Sequence, residues 1–155
     1  MRCTNRRGGT DCKARKRMLL RCYVALGESD LTTLRFAAPL LLVDDLNKAV
    51  SFYTEKLVFD CQFVSDGFYA AVARDQSVIH LKCGPKEEAD RANRQQNGHL
   101  DVCIEVDDAT ALYDEFSRRR VPISQPLTTQ PWQTVDFQVT DPDGYVPCFA
   151  SNRAG

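Results

Sequence analysis

The sequence has no CxxC pair, no apolar run long enough to cross a membrane, and no glycine-rich nucleotide motif. Each absence removes a class of protein. Its seven cysteines, at positions 3, 12, 22, 61, 83, 103 and 148, are odd in number and lack the paired spacing of a zinc ribbon or a thioredoxin-like site. Reduced thiols, mostly buried, are the expectation, and with them a cytoplasmic address. No stretch approaches the ~18–20 apolar residues that a span requires. The apolar window Met18 to Leu26 is interrupted by Arg21 and is too short for a signal core. GxGxxG, the P-loop and the nucleophile elbow are all missing, so nucleotide cofactors are not indicated and no nucleophilic triad is visible. With two histidines in the whole chain, a Cys/His pair such as Cys148 with His80 is conceivable, yet buried strand cysteines are usually inert.

What is present fits one globular domain. The chain has 155 residues, 43% hydrophobic and 26% charged, which is enough for one core and too short for two ordinary domains. The net charge of -1 hides an asymmetry. Residues 1–34 carry eight Lys/Arg against Asp11, Glu28 and Asp30, a balance of +5 that leaves -6 on the remainder. A domain that acidic offers nucleic acid no basic footprint. Residues 1–33 combine Arg clusters, Gly8-Gly9 and three cysteines without helical or strand periodicity. They are expected to form a basic, poorly ordered extension, consistent with a mis-assigned translation start. A transit peptide is the rival reading, weakened by the scarcity of serine and the lack of an amphipathic helix.

From Arg35 the pattern becomes regular. Phe36 to Val43 is an apolar run of strand length, and Asp44-Asp45 opens a helix with apolar positions at Leu46, Ala49, Val50, Phe52, Tyr53 and Leu57. Strand candidates follow at Phe59 to Val64, Phe68 to Ala73 and Ser77 to Lys82, separated by breaks short enough for hairpins. After a polar linker at Gly84 to Gly98 the order repeats. Leu100 to Val106 is a strand, and Asp107-Asp108 opens a helix with Leu112, Tyr113 and Phe116. Further strands are expected at Val121 to Leu127, Val135 to Thr140 and Tyr145 to Ala150. A shift of 63 residues lays Val43-Asp44-Asp45 on Val106-Asp107-Asp108, Ala49 on Leu112, Tyr53 on Phe116 and Val58 on Val121. The expected fold is α+β: two tandem βαβββ modules, at about 35–83 and 99–151, forming a curved, half-barrel mixed sheet with helices on the outside.

Two segments carry a family resemblance. LLLVDDLNKAVSFYTEKLVF resembles the first strand and helix of glyoxalase/bleomycin-resistance (vicinal oxygen chelate) domains. PWQTVDFQVTDPDGYVPCFA resembles their closing strands, with Pro131-Trp132 and the Asp141-Pro142-Asp143-Gly144 turn before the last one. The resemblance covers about 34–151 and implies a homodimer built from paired curved sheets. DPDG also has a plain physical reading, as a type I turn with proline second and glycine fourth.

Metal-using members of that family place ligands on the first and last strand of each module. By motif those positions are Ala38, His80, Asp101 and Cys148 in this chain. Ala38 cannot coordinate. His, Asp and Cys are competent zinc ligands in principle, but the glutamate-rich set of the metal enzymes is missing, and His99 is a weaker candidate beside Asp101. The leading expectation is therefore a small-molecule binding protein resembling the metal-free bleomycin-resistance branch. It sequesters a partly aromatic or cationic ligand in a pocket of Phe68, His80, Asp101, Trp132 and Cys148, with Tyr69 a further aromatic. No cofactor and no membrane or nucleic-acid partner are expected. Trp132 either presents its face to the ligand or closes the core. The alternative is a metal-dependent lyase, isomerase or dioxygenase with a divalent metal on His80, Asp101 and Cys148.

Overall fold

Asp45 and Asp108, which lie 63 residues apart, do the same work at the start of the two helices. Each sits in extended backbone as an N-cap, the first accepting from the Lys48 N–H and the second from those of Thr110 and Ala111. These contacts satisfy amide groups that the first helical turn cannot pair internally. The aspartates that read as helix openers are thus caps, and they mark the start of two copies of one unit.

The computed structural model describes residues 36–84 and 100–152, and the two modules belong to the compact unit Ala37–Gly155. The expectations for residues 1–33, for the polar linker beyond Gly84 and for His99 fall outside the described residues. The first module runs β1 (Leu40–Val43), α1 (Leu46–Ser51, continuing as a π-helical turn over Phe52–Lys56), β2 (Asp60–Ser65), β3 (Tyr69–Arg74) and β4 (Ser77–Cys83). The second runs β5 (Val102–Glu105), α2 (Ala109–Arg118), β6 (Ile123–Thr129), β7 (Thr134–Val139) and β8 (Pro147–Asn152). The α+β reading holds: there are two open four-stranded mixed sheets, ordered β1-β4-β3-β2 and β5-β8-β7-β6. In each, the first strand pairs in parallel with the last, Leu41 beside Leu81 and Ile104 beside Phe149. The other pairings are antiparallel.

The repeat carries one correction. Val58 does not match Val121. The amide of Phe59 returns to the Tyr53 carbonyl just as that of Val121 returns to Phe116, so Phe59 is the equivalent residue. Phe59 and Val121 are both buried, whereas Val58 is exposed and has φ of 61°. The first module holds one extra residue between helix and strand, and its π turn absorbs it.

Strand alternation sends one face of each sheet to its helix. Leu41, Val43, Val72, Ile79 and Leu81 from the first sheet join Ile104, Phe137, Val139 and Phe149 from the second, with Tyr53 and Phe116 from the helices, in one continuous core. Tyr53 and Phe116 are fully buried, while Phe52 and Leu112 are only partly so. Both helix-bearing faces feed that core, and among the described residues neither helix packs on the opposite face of its sheet.

Candidate functional site

The DPDG segment does more than turn the chain. Asp141 Oδ1 accepts the amides of Asp143 and Tyr145 at 2.9 and 2.8 Å, and its Oδ2 accepts the Tyr53 hydroxyl at 3.1 Å. Asp143 Oδ1 takes the Asp44 amide, and the Tyr145 hydroxyl both accepts from the Leu42 amide and donates to the Leu42 carbonyl. The second module's last loop thereby grips the β1–α1 junction of the first. Burial pushes the Asp141 carboxyl up from 3.8 to about 6, against the lowering effect of its backbone donors. Burial, followed by the charge of Asp141, raises Tyr53 well above the usual phenol value, so it remains a donor.

A second clasp reciprocates. Arg74, at the end of β3, makes a forked bond to Glu115 on α2 at 3.3 and 3.0 Å, donates to the Leu57 carbonyl, and lies 5.9 Å from the Phe116 ring centre. Tyr53 and Phe116 are repeat equivalents, so each helix receives a group from the other module at the same position.

On the first module the bare face is aromatic. Phe63 on β2 stacks on Tyr69 on β3, with ring centres 6.0 Å apart and planes 13° off parallel. Tyr69 Oη lies 2.9 Å from His80 Nδ1 on β4, which fixes the imidazole orientation. Leu40 and Leu42 continue the apolar surface along β1 and are 50% and 38% exposed. On the second module the bare face is polar. Asp136 Oδ1 accepts from the side-chain amides of Gln125 and Gln130, both at 3.0 Å, and Gln138 donates to Gln125 Oε1 at 2.8 Å.

The sequence-derived pocket residues divide between these faces. His80 lies on the aromatic face, and Phe68 at its rim, in the turn between β2 and β3. Trp132 sits in the turn between β6 and β7 and is 68% exposed, so it does not close the core. Cys148 lies on the polar face, beside Cys103 on the neighbouring strand. Asp101 stands at the foot of β5, where its Oδ2 accepts the Val146 amide at 2.8 Å.

The expected metal positions do not assemble as a set among the described residues. Ala38 offers a methyl group at the first position, and the Asp101 carboxylate is engaged by backbone. Burial, then Cys103 and Asp136, pushes the Cys148 thiol up to about 12. Among the described residues no group of three or more His, Cys, Asp or Glu is placed to hold an ion. His80, Asp101 and Cys148 are thus not brought together as such a group.

A separate hollow of about 580 Å³ opens where the β3–β4 turn meets α2, lined by Phe59, Arg74, Asp107, Asp108, Glu115 and Phe149 among others. It holds none of the sequence-derived pocket residues. Phe63 and the amide set around Asp136 are not among the residues expected from sequence. Alternation along Thr134-Val135-Asp136-Phe137-Gln138-Val139 was the available signal: its polar positions all fall on one face.

Two linked βαβββ modules, each a four-stranded mixed sheet with one helix on its core face, define a paired-module α+β class. The family model of the Glyoxalase/Bleomycin resistance protein/Dioxygenase superfamily matches residues 35–149, and the chain belongs to that superfamily. It is 30% identical over 128 residues to bleomycin resistance proteins of Geobacillus stearothermophilus and Staphylococcus aureus, covering 72% of this chain and 92% of each relative. Among solved structures, the bleomycin-binding protein of Streptomyces verticillus complexed with copper(II)-bleomycin shares the fold. Its TM-score is 0.60 at 24% identity, over 81% of this chain and 100% of that one. The bleomycin resistance determinant encoded on transposon Tn5 gives a TM-score of 0.64 at 18% identity, over 78% and 100%. Among the described residues no helix is long and apolar enough to cross a membrane.

Proposed function

We propose that this chain is a binding protein that sequesters a planar, partly aromatic small molecule against its bare sheet faces, without a metal in the site and without turnover. The observation that carries this reading is the Phe63–Tyr69 stack beside His80, an aromatic platform that no part of the chain's own core covers. Stacked rings offer a planar ligand a wide apolar contact, and offset stacking adds about 0.5–1.5 kcal/mol per pair beyond the area buried. Trp132 supplies a further exposed aromatic face at the edge of the polar sheet. The similarity to bleomycin resistance proteins supports the same class of activity. Bleomycin is a first ligand to try and not an assumed one.

The protein works as a cytoplasmic homodimer in this reading. β1 is the free edge of the first sheet away from β2, and its Leu40 and Leu42 are exposed apolar residues of the kind that marks an interface. Sedimentation equilibrium should therefore return twice the chain mass of 17.5 kDa.

The test of function uses the single tryptophan of the sequence as the reporter. Chelator-treated protein, titrated with bleomycin and with a panel of planar aromatic compounds, should show saturable quenching of Trp132 emission. Binding or turnover that required an added metal ion, and was lost in His80→Ala, would favour the lyase, isomerase or dioxygenase alternative.

A further inference from the structure

Asp136 is a carboxylate without a cation. It is 7% exposed, lies on the bare side of β7, and no Lys or Arg among the described residues pairs with it. Both of its side-chain hydrogen bonds end on one oxygen, Oδ1, and both come from neutral amides, Gln125 and Gln130. Both protein donors serve Oδ1, and because no buried side-chain oxygen among the described residues lacks a partner, Oδ2 is the oxygen that reaches solvent. Gln138 in turn holds Gln125 by its Oε1, so the carboxylate is oriented by a chain of amides and not by chance packing.

From this geometry we infer that Asp136 is the charge-recognition residue of the ligand site, taking an organic cation, an ammonium or guanidinium group, of the bound molecule on its Oδ2. The inference rests on the ligand-binding reading above and names the chemical class of ligand that this reading leaves open. A metal ion is not the occupant that the site suits. Hard cations collect six or more oxygen donors, and no group of three or more acidic or thiol donors surrounds Asp136 among the described residues. An N–H donor needs only one free acceptor oxygen. Trp132, at the tip of the β6–β7 hairpin that carries Asp136, adds an exposed ring face to which a cation is also attracted. The rest of the polar face supplies neutral amide and hydroxyl groups from Gln125, Thr128, Gln130 and Gln138, none of which repels a positive charge.

A matched pair of probes tests this on the full chain: 2-naphthylmethylamine, cationic at neutral pH, and 2-naphthylmethanol, its neutral counterpart. Binding is read from Trp132 emission. Wild type should bind the amine about ten- to a hundredfold more tightly than the alcohol, the range of one charge-assisted hydrogen bond. Asp136→Asn keeps an acceptor for Gln125 and Gln130 and should bring the two affinities together. Equal affinities in wild type overturn the inference while leaving aromatic ligand binding intact. Failure of both probes to bind overturns the inference and counts against the underlying reading as well. The wild-type comparison stands even where the variant does not fold, and high salt should weaken the amine alone. A preference that persists undiminished in a folded Asp136→Asn protein contradicts the assignment of the charge to this residue.

Discussion

The hydroxyl of Tyr53 donates to Asp141 Oδ2 at 3.1 Å across 88 residues of chain, joining the first module's helix to the second module's closing turn. Phe116, the repeat equivalent of Tyr53, has Arg74 over its ring at the corresponding contact. Duplication supplied the two positions, and divergence made one of them a buried hydrogen bond and the other a cation over an aromatic face. Removing the Tyr53 hydroxyl leaves Asp141 Oδ2 without its donor in a buried setting. Tyr53→Phe should cost about 1–3 kcal/mol in urea unfolding at pH 7. A cost near zero would mean that water replaces the hydroxyl and that the clasp contributes little.

Asp141 also sets a pH dependence. Its folded value of about 6 lies above the ordinary 3.8, so between about pH 4 and 6 the folded state binds more protons than the unfolded one. Stability from this group is full below that window, declines as pH rises through it, and is flat above. Taken alone, the protein should be about 1 kcal/mol more stable at pH 5 than at pH 7. Asp141→Asn should abolish that difference, with the Tyr53 hydroxyl turning to accept from the new amide. Denaturant midpoints at the two pH values, for wild type and variant, provide the comparison.

The core places its largest energies at the helix positions that face inward. Phe116→Ala empties a fully buried site bordered by Phe137 and Phe149, and should cost about 3–5 kcal/mol. Phe52 is only partly buried, so Phe52→Ala should cost less than half as much. Equal losses would mean that α1 is rotated about its axis, with Phe52 turned into the core.

Val58 is a β-branched residue held at φ of 61°, exposed and with no side-chain role in the core. That conformation costs L-residues roughly 1–2 kcal/mol, and Asn tolerates it best among residues with a side chain. Val58→Asn should raise the unfolding free energy by about 0.5–1 kcal/mol. A destabilised variant would show that the turn after α1 depends on the valine.

Much of this architecture is legible in the sequence because two signals act together. Asp45 and Asp108 cap helices at equivalent places, and the apolar spacing around Tyr53 and Phe116 repeats at the same offset. The register fails at Val58 because periodicity cannot reveal where a single inserted residue is absorbed; a π turn hides it inside the helix. Of the expected pocket, His80 and Cys148 come from motif position and Phe68 and Trp132 from their aromatic character; sequence groups them in one pocket, and the structure places them on two different sheets. Asp101 reads as a ligand in sequence, but spends its carboxylate on the Val146 amide, a backbone partner that no motif specifies. Phe63 and Asp136 go unread for the opposite reason. Each is an ordinary strand residue in sequence, and only pairing across the sheet, with Tyr69 for one and with Gln125 and Gln130 for the other, gives it the contacts on which the proposal rests.

Ligand binding by the bare faces, unaided by a protein-held metal, is what most needs testing. The most direct measurement is the emission of Trp132 in chelator-treated full-length protein during titration with bleomycin and a panel of planar aromatic compounds. Saturable quenching by at least one of them is expected, unchanged when chelator is present throughout and weakened about tenfold in Phe63→Ala. The binding reading would be contradicted if no compound gave a saturable response in chelated protein, and if one equivalent of divalent metal, lost again in His80→Ala, were needed to restore binding.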